Sequence, residues 1–323
     1  MITTRACSIL GITHPVALGG MGSGHTNPEL AAAVCEAGGL GVIGVSGRTP
    51  DEITAIASEM RGRTDRPFGL NLLLFANEAI VDTVLATRPE VFSTAWAAAE
   101  QDLEPIFARA HAAGALVMHM VSTLTEARRA VAAGADVIVA QGTEGGGHVG
   151  VMSSLILTPQ VANAVAPIPV LAAGGFADGA GLAAALMLGA EGILMGTRFL
   201  ATTEAPVPER HKRALMESDG QNTLLSEIPD LVSGQLWPGA YGRVMRNRLI
   251  ETWTGREGEL RAQRAAVADR ANSARSQGDI DEMVLWGGQS AGLIASIEPV
   301  AVVVDRIVRE AETIIGNRAA ALG

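Results

Sequence analysis

A single imidazole sits in a run of glycines. Residues 136–150 read DVIVAQGTEGGGHVG, an apolar strand-like segment running into a loop where Gly145, Gly146 and Gly147 precede His148. Three successive glycines let backbone come closer to a ligand than any residue with a Cβ would. An unperturbed imidazole titrates near ~6.5, so His148 is the candidate for proton transfer around neutral pH, with both ring nitrogens expected to be accessible between small neighbours. Gln141 and Glu144 share the loop. No second His, Cys or carboxylate stands at helix or hairpin spacing from His148, so no metal site is expected; no G-x-S-x-G elbow is read in the sequence, so Ser-His-Asp catalysis is not expected either. The other histidines, His14, His25, His111, His119 and His211, each read as structural or solvated.

A second set of residues suits an anion. Ala172-Ala173-Gly174-Gly175 and Met195-Gly196-Thr197 each end an apolar run. If those runs are adjacent parallel strands, the N–H groups of Gly175, Gly196 and Thr197, with the Thr197 hydroxyl, can donate to a phosphate dianion. The plainer reading is that these glycines serve tight turns. Gly20 with Met21 can form a flat platform beneath a ring, and the Asn71 amide offers one acceptor and two donors to the edge of a heterocycle. Taken alone, an amide there more often caps a loop. Two G-x-G-x-x-G matches, at 39–44 and 145–150, fail as dinucleotide fingerprints. The first lies before and within a strand, and the second lacks the acidic residue ~20 positions on.

These groups meet only if the chain gathers them. Eight β-like runs recur at 16–18, 40–45, 68–74, 91–94, 116–121, 137–140, 170–173 and 192–195, and Ala-rich stretches with helical spacing lie between them, as at 27–37, 51–60, 127–133 and 179–188. Ala37-Gly38, Ala113-Gly114, Ala133-Gly134 and Leu188-Gly189 suit a left-handed helix cap just before the next strand. The count of eight predicts an α/β protein of (β/α)8 TIM-barrel type over residues 1–202, rather than an open doubly wound sheet, with its chemistry at the carboxyl ends of the strands. After Thr202 the strand signal stops. Residues 209–218, 243–251, 257–276 and 299–316 read as helices, punctuated by Pro206, Pro208, Pro229 and Pro238. Residues 203–290 are thus expected to be a helical cap and 291–323 a C-terminal helix packing back on the barrel. The stretch 256–276 lacks a clear apolar stripe and is expected to be exposed.

Composition excludes several classes. The 323 residues are 48% hydrophobic, enough for a large core, and 24 basic against 34 acidic residues give a net charge of −10 that would repel a polyanion. Nucleic acid is not an expected partner. Aromatic content is 3%, little material for stacking platforms. Cys7 and Cys35 form neither a zinc spacing nor a disulfide framework. With no secretory h-region and no run of ~18 apolar residues, a soluble, unprocessed, cytoplasmic protein with no membrane partner is expected.

PVALGGM (15–21), AGGLGVIG (37–44), FGLNLLL (68–74), AQGTEGGGHVG (140–150), PVLAAGGFADGAGLAAALMLGAEGILMGTRFLATTEAP (169–206) and GQSAGLI (288–294) together resemble the nitronate monooxygenase family of 2-nitropropane dioxygenase-like flavoproteins, nearly end to end. The resemblance implies FMN at the barrel mouth, its phosphate on Gly174-Gly175 and Gly196-Thr197 beside Met195. It puts the isoalloxazine near Gly20-Met21, Asn71, Gln141 and Gly146-Gly147, and His148 facing the substrate to polarise or deprotonate it. The implied reaction oxidises an alkyl nitronate with O2 to a carbonyl compound and nitrite. RVMRNRLIETW at 243–253 resembles the quinone reductase branch of the same superfamily, which keeps NAD(P)H-dependent reduction of quinones or enoyl thioesters as the alternative. The expected partners are a small-molecule substrate with O2, or NAD(P)H in the alternative, and a homodimer is one assembly open to the chain.

Overall fold

Alternate residues along each apolar run face two different cores, and this makes the runs strands. Val137 and Val139 point into an inner cluster with Leu40, Val42, Met118 and Leu171, while Ile138 and Ala140 join an outer layer under the helices. The computed structural model describes residues 2–235, 237 and 239–322; Pro238, counted above among the punctuating prolines, lies outside the described residues. Its strands are β1 (Val16–Leu18), β2 (Gly41–Gly44), β3 (Phe68–Leu73), β4 (Val91–Ala95), β5 (Leu116–Val121), β6 (Val137–Gln141), β7 (Gly147–Val149), β8 (Val170–Ala173), β9 (Ile193–Met195), β10 (Thr223–Ser226) and β11 (Tyr241–Met245).

Eight of them form one parallel sheet in the order β1–β9–β8–β6–β5–β4–β3–β2. The two ends meet: Ala17 bridges Leu40, with Leu18 N donating to Leu40 O at 2.9 Å and Leu40 N to Val16 O at 3.0 Å. This is the (β/α)8 barrel that the eight runs predict. Helices such as Pro28–Glu36, Pro50–Arg63, Leu124–Ala132 and Gly179–Met187 surround it. Capping boxes at Thr49/Glu52 and Thr123/Glu126 start two of the outer helices, each cap contributing about 1 kcal/mol. Gly38, Gly114, Gly134 and Gly189 turn helix into strand at φ between 84° and 98°, a region closed to most L side chains. At the amino-terminal end the helix Arg5–Leu10 inserts Ala6 and Leu10 into the inner cluster and plugs the barrel.

The region after β9 departs from the helical expectation. Residues 243–251, expected as one helix, are the end of β11 followed by a helix Arg248–Trp253, which Asn247 caps from its side chain at 3.1 Å. β10, β11 and β7 make an antiparallel three-stranded sheet, with Gly242 opposite His148 and Arg243 opposite Gly147. The glycine loop is therefore half strand, held by a segment far along the chain. Residues 257–276 are two helices, Glu257–Ala262 and Arg264–Gln277, meeting at Gln263. They are not simply exposed: Leu260, Val267, Ala271 and Ala274 are buried at helical spacing. That stripe is half alanine, so it carries little apolar contrast in the sequence. The last helix, Val300–Leu322, buries Val300, Val303, Val304, Ile307, Val308 and Ala311 in the outer layer of the barrel. No helix among the described residues is long and apolar enough to cross a membrane.

Candidate active site

Parallel strands that all end on one face leave a basin there, and the loops after them decide its chemistry. A cavity of about 970 Å³ occupies this end of the barrel. All twelve residues singled out above, Gly20, Met21, Asn71, Gln141, Gly146, Gly147, His148, Gly174, Gly175, Met195, Gly196 and Thr197, line it.

Close backbone approach explains several of the glycines. A Cβ on Gly20 would lie 2.3 Å from Asn71 Cβ, and one on Gly146 would lie 2.6 Å from Gly288 N and 3.1 Å from Thr197 Oγ1. Asn71 is not a loop cap. It sits within β3, donates from Nδ2 to Gly20 O at 3.1 Å and accepts from Ser93 Oγ at 2.9 Å, which ties down the backbone at Gly20. Thr197 Oγ1 accepts from Gly288 N at 3.0 Å, so its O–H remains available to donate. Gly174 and Gly175 stand at φ 86° and 87°. Gln141, at the end of β6, has a buried Oε1 with no hydrogen-bond partner among the described residues. Such an acceptor at a cavity wall awaits a donor.

His148 differs from the expectation of two accessible ring nitrogens. Its Nε2 lies 2.6 Å from Asp230 Oδ1, and the two side chains are only 10% and 9% exposed. Because a carboxylate can only accept, Nε2 carries a hydrogen, and in the neutral ring Nδ1 then holds the lone pair. One ring face is covered by Trp237, stacked at 3.5 Å between centroids and 8° from parallel, and Trp286 approaches at 5.3 Å. Asp230 belongs to the helix Ile228–Ser233. Arg243 of β11 ties the loop down, donating from Nε to Thr143 O at 2.8 Å; burial lowers the pKa of its guanidinium, against an opposing effect of Glu144. Glu144 has a structural task, accepting from Ser154 N at 3.0 and 3.1 Å and from Ser154 Oγ at 3.0 Å.

Asp230, Trp237, Trp286 and Arg243 were not singled out in the sequence. Asp230 follows Pro229 at the start of a helix and reads as an ordinary first-turn acid. Residues 288–292, GQSAG, do carry G-x-S-x-G spacing, but Ser290 lies in a 3₁₀ turn, Gln289–Leu293, rather than a strand-to-helix elbow, and the hydrogen bond of His148 goes to Asp230. The remaining buried histidines are structural. His119, against Thr94 Oγ1 at 2.7 Å, is pushed by burial down to about 3, and His211 down to about 4. Among the described residues no group of three or more His, Cys, Asp or Glu is placed to hold a metal ion.

A barrel whose carboxyl face combines a glycine-lined basin with a carboxylate-paired imidazole is an enzyme of the α/β-barrel class. The chain belongs to the nitronate monooxygenase family, whose model matches residues 3–83 and 77–310, and it is a flavin-dependent oxidoreductase. It is 38% identical over 252 residues to the (3aS,4S,5R,7aS)-5-hydroxy-7a-methyl-1-oxo-octahydro-1H-indene-4-carboxyl-CoA dehydrogenase of Mycobacterium tuberculosis, covering 77% of this chain and 68% of that protein. It is 33% identical over 335 residues to a nitronate monooxygenase of Neurospora crassa, covering 88% and 86%. The structure of FabK from Thermotoga maritima superposes with a TM-score of 0.89 at 33% identity, over 99% of this chain and 100% of that one.

Proposed function

We propose that the chain is an FMN-dependent oxidoreductase that oxidises alkyl nitronates with O2 to a carbonyl compound and nitrite. The observation that carries this reading is the imidazole of His148, held by Asp230 at 2.6 Å on the wall of the glycine-lined cavity. The residues fit FMN: an orphaned buried acceptor at Gln141 suits an imide N–H, and Gly20, Gly146 and Gly147 present backbone without side chains on the same cavity wall. Gly174, Gly175, Met195, Gly196 and Thr197 would hold its phosphate, and Gly20, Met21, Asn71, Gln141, Gly146 and Gly147 its ring system. When bound, FMN supplies a two-electron acceptor for the substrate and a donor to O2. Nδ1 of His148 is the atom left to take a proton from a neutral nitroalkane, and the ring, once protonated, donates to a nitronate oxygen. Asp230 stabilises the cation that forms and keeps the hydrogen on Nε2.

The test is anaerobic. Mixing the purified protein with a primary alkyl nitronate should bleach the oxidised-flavin absorbance without any nicotinamide; no bleaching by nitronate would sink the reading.

A second reading, NAD(P)H-dependent reduction of a quinone or an enoyl thioester, is favoured by the size of the cavity. Its volume of about 970 Å³ is at the top of the ~300–1,000 Å³ usual for small-molecule sites, room for a second large ligand beside a cofactor. The Mycobacterium tuberculosis relative acts, by its name, on a carboxyl-CoA substrate. Bleaching by NADH or NADPH alone would select this reading.

A further inference from the structure

Two guanidinium groups converge at the rim of the cavity. Arg48 follows β2, and Arg275 reaches down from the helix Arg264–Gln277 to the loop after β1; both line the cavity. The point where a Cβ on Gly24 would sit is 3.6 Å from Arg48 Nη2 and 4.0 Å from Arg275 Nη2. Arg48 gives its Nη1 to Glu52 at 3.0 Å, and its Nη2 is the atom near Gly24. Arg275 donates to the carbonyl of Ser23 and makes no ion pair with a carboxylate among the described residues. Its pKa is lowered, first by burial and then by the neighbouring Arg48. Ser23 itself stands at φ 57°, an unusual backbone conformation for a residue with a side chain.

Of these two neighbouring guanidinium groups only Arg48 is paired with a carboxylate, Glu52, among the described residues, in a chain whose net charge is −10. Like charges held together in a cleft repel, and the arrangement is satisfied when an anion lies between them. Two forked donors around one point match a phosphate dianion better than a single carboxylate. His25, also on the cavity wall, adds no charge at neutral pH because burial lowers its pKa.

We propose that Arg48 and Arg275 bind a phosphate of a nucleotide-tailed ligand whose reactive end lies against His148 in the same cavity. Coenzyme A thioesters and nicotinamide dinucleotides share that chemistry. The subsite rests on the second reading above, which needs such a ligand.

The experiment is calorimetric titration of the flavin-loaded protein with coenzyme A and, separately, with NADPH, for wild type, Arg275→Gln and Arg48→Gln. Wild type should bind at least one of the two, each variant should bind it about tenfold more weakly, and added salt should weaken wild type more than either variant. Whichever ligand binds identifies the source of the phosphate. No binding of either ligand, or equal affinity in all three proteins, overturns the subsite. So does loss of flavin from Arg275→Gln, since the guanidinium would then serve the cofactor. Heat of binding is read rather than turnover, so a protein that binds NADPH through Arg275 but is reduced by neither NADPH nor NADH refutes the reductase reading and leaves the subsite standing.

Discussion

His148 Nε2 and Asp230 Oδ1 lie 2.6 Å apart although 82 positions separate them in the chain. The pair exists because β11 returns from the elaboration to pair with β7, with Gly242 opposite His148, while the helix Ile228–Ser233 just before it supplies the carboxylate. The barrel provides the imidazole and the elaboration provides its partner, so neither segment builds the site alone.

Asp230→Asn keeps the shape but removes the charge that stabilises a protonated ring. The flavin spectrum should be unchanged and kcat should fall by about 100-fold, with the pH dependence of kcat displaced as well. Steady-state kinetics across pH distinguishes this from a folding role. Wild-type turnover and an unmoved pH profile would show that the pair merely fills space.

Gly146→Ala tests the close approach of the glycine loop to residues 287 and 288. The new Cβ would meet Gly288 N at 2.6 Å and Gly287 C at 2.8 Å, and backbone on both sides leaves nothing flexible to yield. Overpacking of this kind costs about 1–3 kcal/mol. The variant should fold with a lowered Tm and purify with little flavin. Gly196→Ala, whose Cβ would meet only the mobile end of Met21 at 3.1 Å, should keep more of it. The ratio of flavin to protein absorbance after purification decides the order, and a fully yellow Gly146→Ala protein contradicts it.

The barrel was legible because its signal is local and repeated. Each βα unit carries an apolar run, a helical Ala-rich stretch and a glycine that forces the turn, and eight units leave little choice of closure. Gly20, Gly174, Gly175 and Gly196 on the cavity wall were legible for the same reason, since each follows the end of a barrel strand. What the sequence hid is long-range. β7 reads GHV and β10 TLLS, without the unbroken apolar run that marks the comparably short β1 and β9. Asp230 becomes meaningful only through the pairing of β11 with β7. The 3% aromatic content suggested little stacking material, yet Trp96, Trp237 and Trp286 all line the one cavity. Composition counts residues and does not say where the fold collects them.

Acid should destabilise the protein well above the carboxylate range. His119 and His211 are neutral in the folded state, held down to about 3 and about 4 by burial, and Nδ1 of His211 has no partner to accept its proton. Once unfolded, both titrate near ~6.5. Their contribution is therefore fully present above pH ~6.5 and lost as pH falls toward about 4, at about 3 kcal/mol per pH unit when both take up a proton on unfolding. Unfolding free energies from urea titrations at several pH values between 7.5 and 4.5 should decline with that slope, and His211→Gln should flatten it by about half. A midpoint constant from pH 7 to 5 would contradict the burial of these rings.

Trp237 covers one face of the imidazole whose edge Asp230 holds. Its indole lies 3.5 Å from the His148 ring, and behind it stand Phe75 at 5.1 Å and Trp96 at 6.1 Å. An aromatic stack contributes about 0.5–1.5 kcal/mol beyond the area it buries, so Asp230 fixes the ring by one nitrogen and Trp237 fixes its plane. Trp237→Ala should leave flavin content unchanged, lower kcat by about tenfold through a less well-oriented imidazole, and admit bulkier substrates into the vacated space. Trp237→Phe keeps a flat face and should recover most of the rate. If both variants turn over as fast as wild type while substrate size preference shifts, Trp237 shapes the substrate pocket and leaves the orientation of His148 to Asp230 alone.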